Sequence, residues 1–562
     1  MSNHPTLADQ RRAARFTTEL RAVAAGSNGT LDSAAAADFV TAAESRPGNT
    51  PVPEALAAIL DSTPPTKRES LLSNFLDGVS NYEKEHGRAP GGDLIHYALH
   101  MGHSLVPSQR KLIGLGNTLD NTLDSAESGH HDQISLHPNA PAIGIITSFV
   151  QAIPFAGYVS ADMKSNEGRV IIISHNAEND AGEVLAGDSL DGVPSGDVFM
   201  TSERSIALAP GATMAGNFRA RMTDDQTVDG ASPPVRILKG RTAVYVNGKI
   251  AAREIESAGA AQTIVGSVIL AGTTYAIGGT VTPSTGAFAI TSAPALPAGA
   301  LVHITGFIDF EDNQSALTAR FSTKAEVFKI YANPDRGIVR ASVDAIGQFE
   351  AEVGLSPLTM SSEAARIQFM NERHYRALRK LYRIAQSNGN VETFNFDWPN
   401  ASQQKIRSMV WLDFLAVLGI TGQRMAEATK DHGVTQLYVP RNVGAQMKYL
   451  PRDMFTPAGI TERAGIYRLG RFMDVVDVYY SPKVVSQTAD NKGATILAIG
   501  TSMTAARNPI IISDAVAPSF FPLSTGNDMN SGYGFYARTY TETNPHDLSA
   551  VGAALIEVTN LF

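Results

Sequence analysis

The run SSEAARIQFMNERHYRALRKLYRIAQ, Ser361–Gln386, decides how the rest of the chain is read. Ile367, Met370, His374, Leu378, Leu381 and Ala385 recur at three- and four-residue spacing and line one stripe of a helix. Ser361 or Ser362 caps its start, Glu363 sits in the first turn, and Ser387-Asn388-Gly389 supplies a stop. At about 1.5 Å per residue such a helix spans about 39 Å, more than the width of a small domain. Its six basic residues, Arg366, Arg373, Arg376, Arg379, Lys380 and Arg383, face only two acids, Glu363 and Glu372. That composition suits either a nucleic-acid face or a helix meeting acidic neighbours at subunit contacts. The aromatic–basic interleaving of strand-binding surfaces is missing, which favours subunit contacts.

Downstream, helices are predicted over 402–418 and 423–430, followed by short strands at Gln436–Val439, Val475–Tyr480, Thr495–Ile499 and Ala554–Thr559. Mixed α/β describes 325–562. Upstream, residues 235–325 predict a small all-β unit, a sandwich or barrel. Alternation over Thr242–Val246 meets Asn247-Gly248, a strong hairpin signal, and continues through Lys249–Arg253. A second hairpin is predicted to turn at Gly278-Gly279 between Tyr275–Ile277 and Thr280–Thr282. Residues 141–234, including Ala142–Val150, read as extended chain with short strands. The first 140 residues are Ala-rich and helical (Leu7–Ala25, Leu31–Ser45, Val52–Asp61), broken at Pro47-Gly48, Pro64-Pro65 and Pro90-Gly91-Gly92. Their five aromatic residues predict short helices without the bulk for a large core, joined onward by the polar stretch Asp120–Pro141.

The 562 residues suggest three or four compact units at about 150 residues each. With 43% hydrophobic and 18% charged residues and a mean hydropathy of −0.07, the balance is that of a soluble globular protein. No apolar run has membrane-spanning length, and the first residues carry no secretory pattern. Without cysteine there are no disulfides, thiolate nucleophiles or Cys-based metal sites. A net charge of −9 argues against a protein that grips nucleic acid through phosphate neutralisation.

Catalytic motifs are weak. His96, His100 and His103 share a helix face, and two imidazoles one turn apart can ligate zinc. However, Tyr97 follows where a zinc-protease helix places Glu, so packing is the favoured use. Seven of the 13 histidines lie between His86 and His137, which also suits a protonation switch near neutrality. Gly114-Leu115-Gly116 fails the dinucleotide pattern at Leu119, and Gly192-Val-Pro-Ser195-Gly196 is one residue off a nucleophile elbow. No catalytic, cofactor-binding or metal-ligating residue is assigned, and no enzyme activity is expected.

From about residue 141 the order of elements resembles the major capsid proteins of tailed bacteriophages with the Hong Kong 97 fold. The resemblance rests on a Pro-containing arm from Ile153-Pro154-Phe155 through Gly192, then on β-hairpin material over 205–340. Lys329–Arg336 and Phe349–Leu355 then lead into the long helix. Further on, Gly433–Pro440, Gly465–Tyr467 and Val478–Pro482 look like the axial domain, and Ser531–Tyr536, Asn544–His546 and Ala554–Leu561 form a similar ending.

The resemblance implies an α+β fold of the Hong Kong 97 capsid type, with N-arm, extended loop, peripheral domain with a long spine helix, and axial domain. To these it adds an inserted small all-β domain and a helical N-terminal extension. The implied divisions are 1–140, a helical scaffold-like extension; 141–204, an extended arm; and 205–340, the extended loop holding the β domain at about 235–325. Residues 341–394 would form the peripheral domain, 395–510 the axial domain, and 511–562 the return to the peripheral domain. The implied function is an icosahedral head shell enclosing the genome. Its partners would be other copies in hexamers and pentamers, portal, decoration, scaffold or protease proteins, and packaged double-stranded DNA held without sequence specificity. No membrane or cofactor is implied, and the location would be the virion, assembled in the cytoplasm of a bacterial host. Alternatives are a contractile tail sheath or tube subunit and, behind it, a metal-dependent hydrolase using His96, His100 and His103.

Overall fold

The computed structural model describes residues 7–24, 33–45, 52–106, 140–354, 357–397, 407–523 and 530–561. Pro47-Gly48, the Gly114–Leu119 segment, the linker up to Asn139 and the histidines at 130, 131 and 137 lie outside them. The chain divides into one unit made of 1–172 and 327–562 and a second made of 173–326.

In the first unit, the long helix runs Pro357–Ser387, about 46 Å at 1.5 Å per residue. Leu378, Leu381 and Ala385 of the expected stripe are fully buried, and Phe369, Arg373 and Ala377 join them. Ile367 departs from the expectation: its side chain is half exposed. The helix lies on a seven-stranded sheet. In spatial order the strands are Val391–Asn395, Ala553–Thr559, Ala494–Gly500, Val434–Val439, Val476–Tyr480, Tyr467–Phe472 and Phe455–Pro457. Neighbours are antiparallel except Val391–Asn395 with Ala553–Thr559 and Val434–Val439 with Val476–Tyr480.

Alternation along the central strands explains why they read as unbroken apolar runs. Leu497 and Leu555 face the core that holds Leu378 and Leu381. Their neighbours Ile496 and Ile556 face the opposite core, with Trp411 and Phe414 of helix Arg407–Thr429. The separate helices expected at 402–418 and 423–430 are this one helix, and residues 402–406 lie outside the described set.

The N-terminal helices depart most from the sequence reading. Helices Leu7–Ala24, Ser33–Ser45, Glu54–Ser62, Pro65–His86 and Gly92–Ser104 bury Phe16, Leu20, Ile59, Phe75 and Leu99. These side chains belong to the same cluster as Leu381, Tyr438 and Leu555, so the helices build the main core instead of forming a thin layer of their own. Bulk is not required because small residues bring helices together. A Cβ on Gly102 would sit 2.7 Å from Ile145, and one on Gly78 2.8 Å from the Phe149 ring.

Ile145 and Phe149 belong to helix Ala140–Val150, where extended chain was expected. Its β-branched composition is overridden by burial of Ala142, Ile145 and Phe149 against Pro65–His86 and Gly92–Ser104. The arm then forms strand Ala156–Tyr158, parallel to Ile510–Ile512, which pairs antiparallel with Thr541–Thr543. A Cβ at Gly157 would lie 1.9 Å from the Ala505 carbonyl, so only glycine fits there. A second sheet pairs three long strands in the order Asn333–Ser342, Asn530–Thr539, Val516–Leu523.

The second unit is built on an eight-stranded antiparallel sheet, Glu203–Leu208, Val302–Phe307, Ala243–Val246, Lys249–Ile255, Gln262–Leu270, Thr273–Thr282, Ala287–Ala293 and Thr213–Asn217 in spatial order. Its own core gathers Phe218, Val244, Ile264, Val281, Ile290 and Ile304. The Asn247-Gly248 hairpin forms with both residues at positive φ. The Gly278-Gly279 turn does not: both glycines lie inside strand Thr273–Thr282, and the flanking turns fall at Ala271-Gly272 and near Gly286. A turn there would have cut a strand that pairs on both sides, to Gln262–Leu270 and to Ala287–Ala293.

Phe155 is fully buried against His374 and Tyr438, at ring-centroid distances of 5.8 and 5.7 Å. Phe155→Ala is expected to cost about 3–5 kcal/mol. The half-exposed Ile367 changed to Ala is expected to move stability by less than about 0.5 kcal/mol. Denaturant midpoints of the two variants check both.

Candidate functional site

Two polar constructions inside the first unit position its surfaces. Asp514 follows strand Ile510–Ile512 and is fully buried. Arg373 of the long helix donates from Nη2 to Asp514 Oδ1 at 2.6 Å and from Nε to Thr541 Oγ1 at 2.9 Å. The Tyr97 hydroxyl of helix Gly92–Ser104 donates to the other carboxylate oxygen. Burial works against the charge on Arg373, but the adjoining Asp514 carboxylate outweighs it and holds the guanidinium protonated. Burial, together with Asp514, pushes the Tyr97 hydroxyl well above the usual phenol range. One ion pair thus joins an N-terminal helix, the long helix and the C-terminal strands.

Beside it lies an aromatic–histidine cluster. Tyr438 and Tyr479 stack with centroids 5.2 Å apart. The Tyr438 hydroxyl meets His374 Nε2 and the Tyr479 hydroxyl meets His86 Nδ1, each at 3.2 Å. Burial pushes both imidazoles down to about 3. Around His86, the cations Arg88, Arg468 and Arg463 add to the effect. A cleft opens here, lined by Glu85, His86, His374, Arg463 and Arg468. Its charges are matched within the chain: Arg463 with Glu85, and Arg468 with Asp477 at 2.8 Å.

The histidine stripe is dispersed onto separate partners. His96 Nδ1 lies 3.3 Å from Ser160 Oγ, and His100 Nε2 lies 3.0 Å from the Ala161 carbonyl. His103 is buried. Burial lowers all three, His100 to about 4 with His96 and His103 adding to it and Asp162 opposing. Among the described residues no group of three His, Asp or Glu side chains is placed to hold a metal ion.

The basic helix meets acids of its own chain. Arg366 pairs with Glu363 at 2.7 Å, Arg373 with Asp514, Arg376 with Asp335 at 3.7 Å, and Lys380 with Glu542. Four of the six basic residues thus find acidic partners within the chain itself. Sequence reading passed over Asp514, and weighed Tyr97 only as a departure from a zinc-protease motif. The signal was present in Asn508-Pro-Ile-Ile-Ile-Ser-Asp514-Ala-Val, a single carboxylate in an apolar run, which requires a buried partner.

Part of the exposed surface is apolar and extended. Strand Asn333–Ser342 is the edge of its sheet, and Ile338 on it is 66% exposed. Val327 and Tyr331 before it, Val343 after it, and Met360 on the long helix are about half exposed as well. An exposed strand edge carrying large apolar side chains is a surface for pairing with another chain.

No family model and no curated protein matches the sequence. Among solved structures the chain is similar to the capsid protein of the jumbo bacteriophage PhiKZ, at 10% identity and a TM-score of 0.33, covering 71% of this chain and 91% of that one. It is also similar to the capsid of the Myoviridae phage XM1, at 8% identity and a TM-score of 0.28, covering 58% and 89%. A third likeness is to the holo-SrpI encapsulin complex of Synechococcus elongatus, at 10% identity and a TM-score of 0.26, covering 43% and 79%. Likenesses this loose carry no weight beside the geometry of the chain itself.

Asp514→Ala strands the Arg373 charge and is expected to cost about 3–5 kcal/mol in a denaturant titration. Acid is also expected to destabilise the fold. His86, His100 and His374 titrate lower in the fold than the ordinary 6.5, so the unfolded chain takes up protons first. The stability these three histidines contribute is complete above about pH 6.5 and is lost toward about pH 3–4, by up to about 1.4 kcal/mol per pH unit for each. His374→Gln keeps a polar group opposite Tyr438 and removes one titrating site, so the decline should be shallower by about that amount.

Proposed function

We propose that this chain is a structural subunit, the major capsid protein of a tailed phage with the Hong Kong 97 fold, which closes with its own copies into an icosahedral shell. The edge strand Asn333–Ser342 carries the proposal. It leads into helix Val343–Val353 and the long helix, and its outer edge meets no other strand among the described residues. A long edge with Ile338 exposed would be an aggregation hazard in a protein that works alone. In a shell it becomes the place where a neighbour adds.

The remaining architecture fits the same role. The long helix with its three-stranded sheet corresponds to a peripheral domain, and the seven-stranded sheet to an axial domain. The excursion from strand Glu167–Ala177 to strand Phe321–Tyr331, which pair with each other, corresponds to an extended loop enlarged by the β unit. Subunits of this kind need closed symmetry and about 2,000 Å² or more of buried interface, held here without disulfides. A net charge of −9 suits a container whose wall encloses DNA without gripping it. Portal, decoration, scaffold or protease partners, virion location and bacterial assembly belong to the same proposal.

The N-terminal helices, a scaffold-like extension by the resemblance, are in this reading a lasting part of the subunit. Phe16, Phe75 and Leu99 lie in the main core, and Tyr97 closes the Arg373–Asp514 pair, so the helices stay with the shell subunit.

Negative-stain microscopy of the full-length chain expressed alone tests the proposal. Closed particles of uniform diameter are expected. Helical tubes would assign the chain to tail sheaths, and a monomer that persists at high concentration would overturn self-assembly. Ile338→Lys is expected to cut particle yield at least tenfold while shifting the unfolding midpoint of the subunit little, because the side chain is exposed.

A further inference from the structure

From Ser257 to Ile308 the chain contains no Asp, Glu, Lys or Arg. At its average of 18% charged residues, such a stretch would carry about nine, and solvent-facing surfaces usually hold more. The stretch supplies strands Gln262–Leu270, Thr273–Thr282, Ala287–Ala293 and Val302–Phe307 of the eight-stranded sheet. The first three, with Thr213–Asn217 beside them, turn one face into the core through Ile264, Val268, Ile277, Phe288 and Ile290. Among the described residues nothing covers their other face.

The register shows what that face presents. One row across the strands runs Val265, Gly278, Thr291, Thr213. The next runs Thr263, Thr280, Ala289, Ala215. Above and below these rows stand Ser267, Ala276 and Ala293, and Thr282, Ala287 and Asn217. Val265 is 52% and Ile269 67% exposed. The side chains are short and uncharged, and the aromatic groups of these strands, Tyr275 and Phe288, lie on the inner face. Charge returns at the border, where Arg253 on strand Lys249–Ile255 stands opposite Val265. An uncharged patch with charge returning at its border is a pattern found in protein–protein contacts.

We infer that this face is a contact between two copies of the chain, sheet against sheet. Its composition excludes other occupants: without cations it offers nothing to phosphate, and without aromatic side chains it offers no platform for bases. A protein partner would have to be equally uncharged across the patch, because an ion buried there unpaired costs several kcal/mol. The face of a second copy meets that requirement, and two flat surfaces of short side chains can approach as closely as packed sheets do. At about 3.3 Å per residue and 4.8 Å between strands, the four strands cover about 500 Å². Two copies would bury about 1,000 Å², the lower bound for a specific contact and enough within a multivalent assembly.

The contact rests on the self-assembly reading only in requiring a second copy. The absence of native cysteine makes the test clean. Full-length Ala289→Cys is assembled and treated with a bifunctional thiol reagent spanning about 10 Å, the spacing of packed sheets. Ser195→Cys, exposed in a turn outside the strands, is the collision control. Expected are covalent dimers from Ala289→Cys as the main product, few from Ser195→Cys, and at least a tenfold drop when Thr280→Lys is added to Ala289→Cys. Particles that form without Ala289→Cys dimers overturn this contact and leave the shell reading intact. Dimers without particles support the contact and count against the shell. Neither particles nor dimers overturns both.

Discussion

An arginine and an aspartate held together out of water set the terms for the first unit. Separating Arg373 from Asp514 in that interior would leave a charge with no solvent to stabilise it, so the groups around the pair are fixed in place with it. Those groups come from distant parts of the sequence: Tyr97 from an N-terminal helix, Arg373 from the long helix, and Asp514 and Thr541 from the closing strands. Hydrophobic burial supplies the bulk of the stabilisation but is indifferent to register. The pair is directional, and specifies which turn of the long helix faces which strand. The stacked Tyr438–Tyr479 pair, capped by His374 and His86, does the same one layer away.

With the interior settled this way, the surfaces left over acquire meaning. The seven-stranded sheet is covered on both faces by helices, leaving it little to offer a neighbour. The three-stranded sheet ends on an open edge, and the β unit shows a face without charge. Both are costly features for a chain that remains alone, and both become useful when many copies meet. In the interior, the histidines of Gly92–Ser104 are dispersed onto separate partners and the cations are matched within the chain.

Much of this was legible in the sequence. The long helix, the Asn247-Gly248 hairpin and the sheet strands at 434–439, 476–480, 494–500 and 553–559 follow from periodicity and turn chemistry, which are local. The misreadings fall where long-range packing overrides a local signal. Ala142–Val150 has β-branched composition but is held helical by its neighbours, and Gly278-Gly279 looks like a turn but crosses the sheet as a strand. The N-terminal helices looked too poor in bulk to build a core, because nothing in their own sequence shows the rings and strands that complete it. The tie at Asp514 joins residues more than 100 positions apart, and such pairing leaves only an indirect trace, a carboxylate in an apolar run.

Amide hydrogen exchange on the intact full-length chain tests most directly whether the N-terminal helices belong to the fold. Helices Pro65–His86 and Gly92–Ser104 should open with the global unfolding of the first unit, matching the protection of strands Ala494–Gly500 and Ala553–Thr559. Exchange of the helices within seconds while those strands stay protected for hours would contradict this, and would make the N-terminal region a separable layer after all.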